Sequence, residues 1–274
     1  MSYNIETIDG VTVVKFPILE ELGVLHGFST KKGGVSEGIY KSMNLSFSRG
    51  DDEEAVMENH RRLASSLGYE VESLVFSDQV HKTNIRTVTR EDCGKGILKE
   101  RDYAEIDGLI TNDPEVTLIT FYADCIPLYF VDPVKKVVAM AHSGWRGTVS
   151  RIGQKMIERM SNEFSCERRD IRCVIGPGIC QGCYEVSEDV AQEFQREFLE
   201  HQWQNILLDK KNGKYQLNLW EANRIILHEA GIAPSNIETS GLCTCCHQDL
   251  LFSHRATGGK RGNLAGIISC RGLA

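Results

Sequence analysis

Four apolar, β-branched runs follow one another in the middle of the chain, and they constrain the fold more than any other feature. Leu109 to Thr111, Val116 to Tyr122, Ile126 to Val131 and Val137 to Ala141 are punctuated by turn sequences such as Asn112-Asp113-Pro114 and Asp132-Pro133. Val, Ile, Leu and Tyr fit a pleated surface, whereas proline and short polar side chains interrupt one. The runs are continuous rather than alternating, which predicts strands covered on both faces.

Further strands are expected at Val11 to Phe16, Gly23 to Ser29, Ser73 to Val80, Asn84 to Thr89, Ile171 to Ile175 and Ile267 to Ser269. Asp51 or Asp52 is placed to cap a helix through about Leu67, with acidic residues in its first turn and Gly68 beyond its end. Thr148 reads as the cap of a helix to about Phe164. Ser187 to Leu199 and Leu217 to Ala230 also read as helical, with a polar turn at Lys210 to Lys214 between them. Strands and helices do not alternate regularly. The pattern therefore predicts an α+β fold with a mixed β-sheet core and flanking helices, not a doubly wound parallel sheet. No repeat or long linker divides residues 1–274, so a single domain is expected.

The net charge of −7 argues against broad attraction to nucleic acid or an anionic membrane, but it leaves room for a local basic pocket. Asp124 and Pro127 interrupt the longest greasy stretch, which is too short and too polar to span a bilayer. The N-terminus lacks the basic start and apolar run of a signal peptide. Ten cysteines without such a signal point to free thiols in a reducing, cytoplasmic setting. No heptad seam is visible, and a monomer is expected.

Chemistry concentrates at His81, Cys125 and His142, each at or near the end of an apolar run where a strand would deliver its side chain to a sheet rim. Two imidazoles and a thiolate suit zinc or copper, and three protein donors would leave a coordination position open for water or substrate. The spacings fit no short zinc signature. A buried cysteine can equally fill a core, a histidine can be a hydrogen-bonded structural group, and Cys125 could act as a nucleophile with His81 or His142 as base. Cys180-Gln181-Gly182-Cys183 and Cys243-Thr244-Cys245-Cys246-His247 compose a rival Cys₃His or Cys₄ centre, although the second cluster is compressed for a zinc knuckle. The His-x-Glu and Pro-Cys-x-x-Cys pattern of zinc nucleobase deaminases is absent. Gly144 and Gly147 bracket Trp145 and Arg146 in a turn able to face an anion.

The wording around these residues is that of a known family. Gly33-Gly34-Val35-Ser36, Met43-Asn44-Leu45, Gln79-Val80-His81, Ala123-Asp124-Cys125-Ile126-Pro127, His142-Ser143-Gly144-Trp145-Arg146-Gly147, Gly176-Pro177-Gly178-Ile179, Cys183-Tyr184-Glu185-Val186 and Phe252-Ser253-His254-Arg255 resemble the laccase-domain family. That family was once called polyphenol oxidases and is now described as purine nucleoside phosphorylases. The resemblance runs from about Gly27 to Ile268. It implies one α+β domain in which His81, Cys125 and His142 bind one catalytic Zn2+. It also implies purine nucleosides and phosphate as ligands: phosphorolysis of adenosine, inosine, guanosine and methylthioadenosine, with adenosine deamination as a second reaction. Lys31 stands where the family commonly has Arg, and His60 interrupts the usual Asn-Arg after the first helix. Lys31 and Arg146 are the candidates for the phosphate cradle. Cu2+ could occupy a His₂Cys site, but the lack of any His-x-His argues against a multicopper oxidase. A non-catalytic zinc-binding partner protein is the remaining alternative.

Overall fold

The central runs form strands Gly108–Thr111, Thr117–Tyr122, Ile126–Asp132 and Val137–Ser143, and they divide between two sheets. In the computed structural model, which describes residues 2–273, one six-stranded sheet runs in the order Asn4–Ile8, Val11–Lys15, Leu25–Ser29, Leu264–Ser269, Thr117–Tyr122, Leu74–Phe76. The other runs Ile237–Thr239, Arg172–Ile175, Ile126–Asp132, Val137–Ser143, Gly108–Thr111, Ile85–Thr87. Both are mixed. Most neighbours are antiparallel, and parallel pairs lie at the Leu74–Phe76 edge of the first sheet and at both edges of the second.

The sheets pack face to face. Val14, Phe28, Leu118, Tyr122, Leu264 and Ile268 from the first meet Leu109, Tyr129, Val131, Val138 and Met140 from the second. Buried hydroxyls stitch this layer: Tyr129 donates to the Gly27 carbonyl at 2.9 Å and Tyr122 to that of Ala141 at 3.2 Å. Gly266 permits the close approach, because a Cβ there would lie 2.5 Å from Met140 Cε and 2.7 Å from the Tyr129 hydroxyl. Helix Glu53–Leu67 covers the outer face of the first sheet with Leu63 and Ala64. Helices Ile152–Phe164 and Leu219–Glu229 cover the second with Ile152, Met156, Met160 and Ile226. The fold is α+β with a mixed-sheet core and flanking helices. Every residue of Ile126–Asp132 and Val137–Ser143 is buried, as continuous apolar runs require.

Asp52 caps the first long helix through the Ala55 N–H at 2.9 Å, and Gly68 ends it in the left-handed conformation. Thr148 is not the cap expected of it. Its hydroxyl is buried and turned back to the Gly144 carbonyl within a short helix, Trp145–Val149. The longer helix starts afresh at Ile152, because Arg151 takes a left-handed backbone (φ 56°) while its guanidinium pairs with Glu197 and Glu229. Ile267 to Ser269 belongs to a longer strand, Leu264–Ser269, paired on both sides. The strands expected around His81 shrink to Leu74–Phe76 and Ile85–Thr87, since the backbone between them binds a carboxylate instead. Among the described residues, no helix is long and apolar enough to cross a membrane.

Candidate active site

The chain crosses between the two sheets at the segments joining Phe76 to Ile85 and Tyr122 to Ile126, and both crossings contribute to one site. The first carries His81 and the second Cys125. His142 lies on strand Val137–Ser143, opposite Pro127 in the register, one strand from Cys125. The three donor atoms all lie within 4.8 Å of one another, and Cys125 Sγ is 3.9 Å from His81 Nε2. Three sequence candidates thus converge on one point.

Asp107 organises the group. Fully buried, it accepts from three successive backbone N–H groups, those of Val80, His81 and Lys82, at 2.9–3.0 Å. This cradle holds His81 at φ 63°, a left-handed backbone that an unsupported histidine seldom adopts. The same carboxylate lies 2.9 Å from His142 Nδ1, which fixes the ring and leaves Nε2 free for a ligand. Burial opposes ionisation of Cys125, but the charges and hydrogen bonds of His142 and His81 outweigh it and bring the thiol down to about 6. Burial likewise disfavours the His142 imidazolium, yet Cys125 and Asp107 hold it up at about 9. Gly144 faces this cluster: a Cβ there would stand 3.0 Å from both Cys125 Sγ and His81 Cδ2. A carboxylate-oriented imidazole, a second imidazole and an easily ionised thiol, with space kept clear beside them, fit a soft or borderline metal ion.

The donors lie in a cleft of about 730 Å³, large enough for a nucleoside and an anion together. Phe47, Phe76 and Phe121 contribute aromatic surface to its lining. His60 lies beneath them rather than at an anion site. It is fully buried, its Nε2 lies 2.9 Å from the Leu45 carbonyl, and its ring stacks 5.7 Å from that of Phe47. Burial pulls its pKa down to about 4, so it is a neutral support for the aromatic wall.

Arg49, Arg146, Arg255 and Arg261 also line the cleft, and none of the four has a carboxylate partner among the described residues. Arg49 and Arg261 each keep a buried Nε without a hydrogen-bond acceptor. Burial first, and the adjacent Arg49 charge second, lower the Arg261 guanidinium to about 10. Two neighbouring, half-buried guanidiniums without a carboxylate make a ready anion site. Arg146 is in the cleft with its guanidinium over the Trp145 ring at 4.3 Å. Lys31 is not there. It lines a neighbouring depression with Lys32, Lys41 and Lys260, and Arg261 borders both. Asp124, beside Cys125, is fully engaged in structure: it accepts from the Thr244 hydroxyl at 2.7 Å and the Arg255 N–H at 2.6 Å.

Sequence reasoning missed Asp107, Arg49 and Arg261. Asp107 sits in no motif, and the two arginines lie at opposite ends of the chain. The sole hint was that an acidic protein could still carry a local basic pocket.

A family profile described as "Multi-copper polyphenol oxidoreductase laccase" matches residues 25–271. Among curated proteins, the chain is 37% identical to a purine nucleoside phosphorylase, YlmD, of Bacillus subtilis over 249 residues, covering 90% of this chain and 89% of that one. It is 30% identical to an adenosine deaminase, RL5, from an unknown prokaryotic organism, covering 90% and 95% of the two chains. The crystal structure of YlmD from Geobacillus stearothermophilus superposes with a TM-score of 0.90 at 35% identity, covering 98% of each chain.

Proposed function

We propose that this chain, which belongs to the multi-copper polyphenol oxidoreductase laccase family, is a metal-dependent purine nucleoside phosphorylase. The observation that carries this reading is the pairing, in one cleft, of the His81–Cys125–His142 donor group with the guanidiniums of Arg49 and Arg261, each with a buried Nε that has no acceptor. Phosphorolysis needs a phosphate held against C1′ of the ribose. A phosphate oxygen forms a bond to C1′ as the bond from C1′ to the purine nitrogen breaks, and the departing base keeps the electron pair and takes up a proton. Arg49 and Arg261 hold the phosphate, Arg146 screens the approaching charge, and Lys31 draws anions toward the cleft mouth from the adjoining depression. Phe47, Phe76 and Phe121 offer the flat apolar surface that a purine needs.

His81, Cys125 and His142 would hold Zn2+ in this reading, with Asp107 orienting His142 and cradling the backbone that carries His81. Zinc bound there supplies Lewis acidity toward an electron-rich atom in the cleft. The donor set also accepts copper, but among the described residues the other group of three or more metal-donor side chains is all cysteine, which disfavours multicopper phenol oxidation. The adenosine deaminase relative supports a second reaction in the same cleft, in which water replaces the C6 amino group and ammonia leaves.

Incubating the purified chain with adenosine, inosine, guanosine or methylthioadenosine, with and without phosphate, tests the reading. Phosphate-dependent release of free base supports phosphorolysis, and inosine formed from adenosine supports deamination. A zinc-loaded chain that forms neither product overturns the proposal.

A further inference from the structure

We propose that Cys180, Cys183, Cys243 and Cys246 form a second, closed tetrathiolate zinc centre that clamps two segments of the cleft wall together. Folding resolves the compressed 243–247 cluster. Cys245 and His247 fall outside the sulfur group, leaving two Cys-x-x-Cys pairs of equal spacing from distant parts of the chain. All four sulfurs lie within 4.8 Å of one another, with Cys183 to Cys246 at 3.5 Å and Cys180 to Cys246 at 3.9 Å. A tetrahedron with zinc–sulfur bonds of about 2.3 Å has sulfur–sulfur edges of about 3.8 Å. The group is thus already close to the size a zinc ion requires.

The backbone is arranged for anionic sulfur. The N–H groups of Cys180 and Cys246 both point at Cys243 Sγ, at 3.2 and 3.4 Å. Such donors stabilise a thiolate more than a thiol. Four sulfurs this close cannot all ionise without a cation among them. Four protein donors leave no open position, so the chemistry is structural.

The two segments meet at a single backbone bridge, Gly178 to Cys243, whose flanking hydrogen bonds run from Gly178 N–H to the Leu242 carbonyl and from Thr244 N–H to that of Gly178. Both pairs are tied to the cleft. Tyr184 follows Cys183 and lines the cleft, while Arg255, beyond the second pair, sets its guanidinium over the Tyr184 ring at 5.2 Å. Thr244 and the Arg255 N–H both hold Asp124, the neighbour of Cys125. A metal at the four sulfurs would therefore fix Tyr184 and Arg255 relative to the donor group without touching substrate. This inference stands apart from the phosphorolysis reading, because its readout is metal content.

The test counts zinc by elemental analysis and native mass spectrometry in the full chain, expressed with zinc and purified under reducing conditions. The unaltered chain should carry about two ions, Cys125→Ala about one, and Cys125→Ala combined with Cys246→Ser none. Cobalt loaded into Cys125→Ala should show the intense sulfur charge transfer of a four-thiolate tetrahedral site. Stripping the ion should lower the Tm of Cys125→Ala by about 5 °C or more, a shift worth about 2 kcal/mol in a chain of this size. Two results overturn the proposal: a folded Cys125→Ala chain that holds no zinc, or an intact mass showing a disulfide between Cys183 and Cys246 in place of metal.

Discussion

The His81–Cys125–His142 group and the four-cysteine group flank the same residue, Asp124, yet they are built in opposite ways. The first draws its donors from two sheet crossings and a strand end, and Asp107 orients its two histidines, so the fold sets the geometry before any ion arrives. The second rests on two loops joined by a backbone bridge, and among the described residues only backbone N–H groups, not a carboxylate, hold its sulfurs. In one place the fold would position a metal for chemistry; in the other a metal would position the fold. Side-chain loss should therefore affect activity at the first and stability at the second.

The largest expected effect is at Cys125. Cys125→Ala removes the donor that the two histidines hold ionised, and phosphorolysis should fall to background. Its Tm should stay within about 3 °C of the parent, because Cys125 is only half-buried at the cleft and alanine is of similar size. A metal-free Cys125→Ala chain with full phosphorolysis would refute the metal-dependent reading. Asp107→Asn comes next, and it blurs the division between the two groups in an instructive way. One amide oxygen cannot accept from three N–H groups and an imidazole at once, and the amide NH₂ would face donors. Activity should drop by about 10–100-fold through misoriented ligands. Stability should also drop, by about 1–3 kcal/mol for the buried donors left unpaired. Kinetics and thermal unfolding of the same preparation separate the two losses; a stable but inactive Asp107→Asn chain would mean that the carboxylate acts on chemistry alone.

How much of this was legible in the sequence differs between the two groups for a physical reason. His142 ends an apolar run and lies on the strand expected of it, whereas His81 and Cys125 sit in the crossings between sheets, which periodicity does not encode. The resemblance, not the spacing, joined them. Local signals held where the interactions are local, as in the Asp52 cap and the Gly68 stop. They failed at Thr148, because Arg151 breaks the helix through ion pairs to Glu197 and Glu229, residues remote in sequence. In the four-cysteine group the pair at 180 and 183 was plain, but Cys245 and His247 hid the equal spacing of 243 and 246. Arg49 and Arg261 had no sequence signature, since their character comes from lying near each other, half-buried and without a carboxylate.

Two glycine substitutions sharpen the contrast at its low end. At Gly144 a Cβ would meet Cys125 Sγ and His81 Cδ2 at 3.0 Å, and the Asp107 cradle under the His81 backbone gives that ring little room to yield. Gly144→Ala should weaken metal binding by about tenfold, comparable to the loss of an orienting contact, with little change in Tm. Competition with a chelator of known affinity measures this directly. Gly182 sits inside the Cys180–Cys183 turn, where a Cβ would meet nothing within 4 Å, and its φ is not in the left-handed range. Gly182→Ala should therefore leave activity and both metal sites unchanged. It should even add about 0.4–1 kcal/mol by restricting the unfolded chain. A drop in zinc content or Tm on Gly182→Ala would show that the loop must flex to close around its ion. The four-sulfur group would then be assembled by the metal to a greater degree than its near-tetrahedral spacing implies.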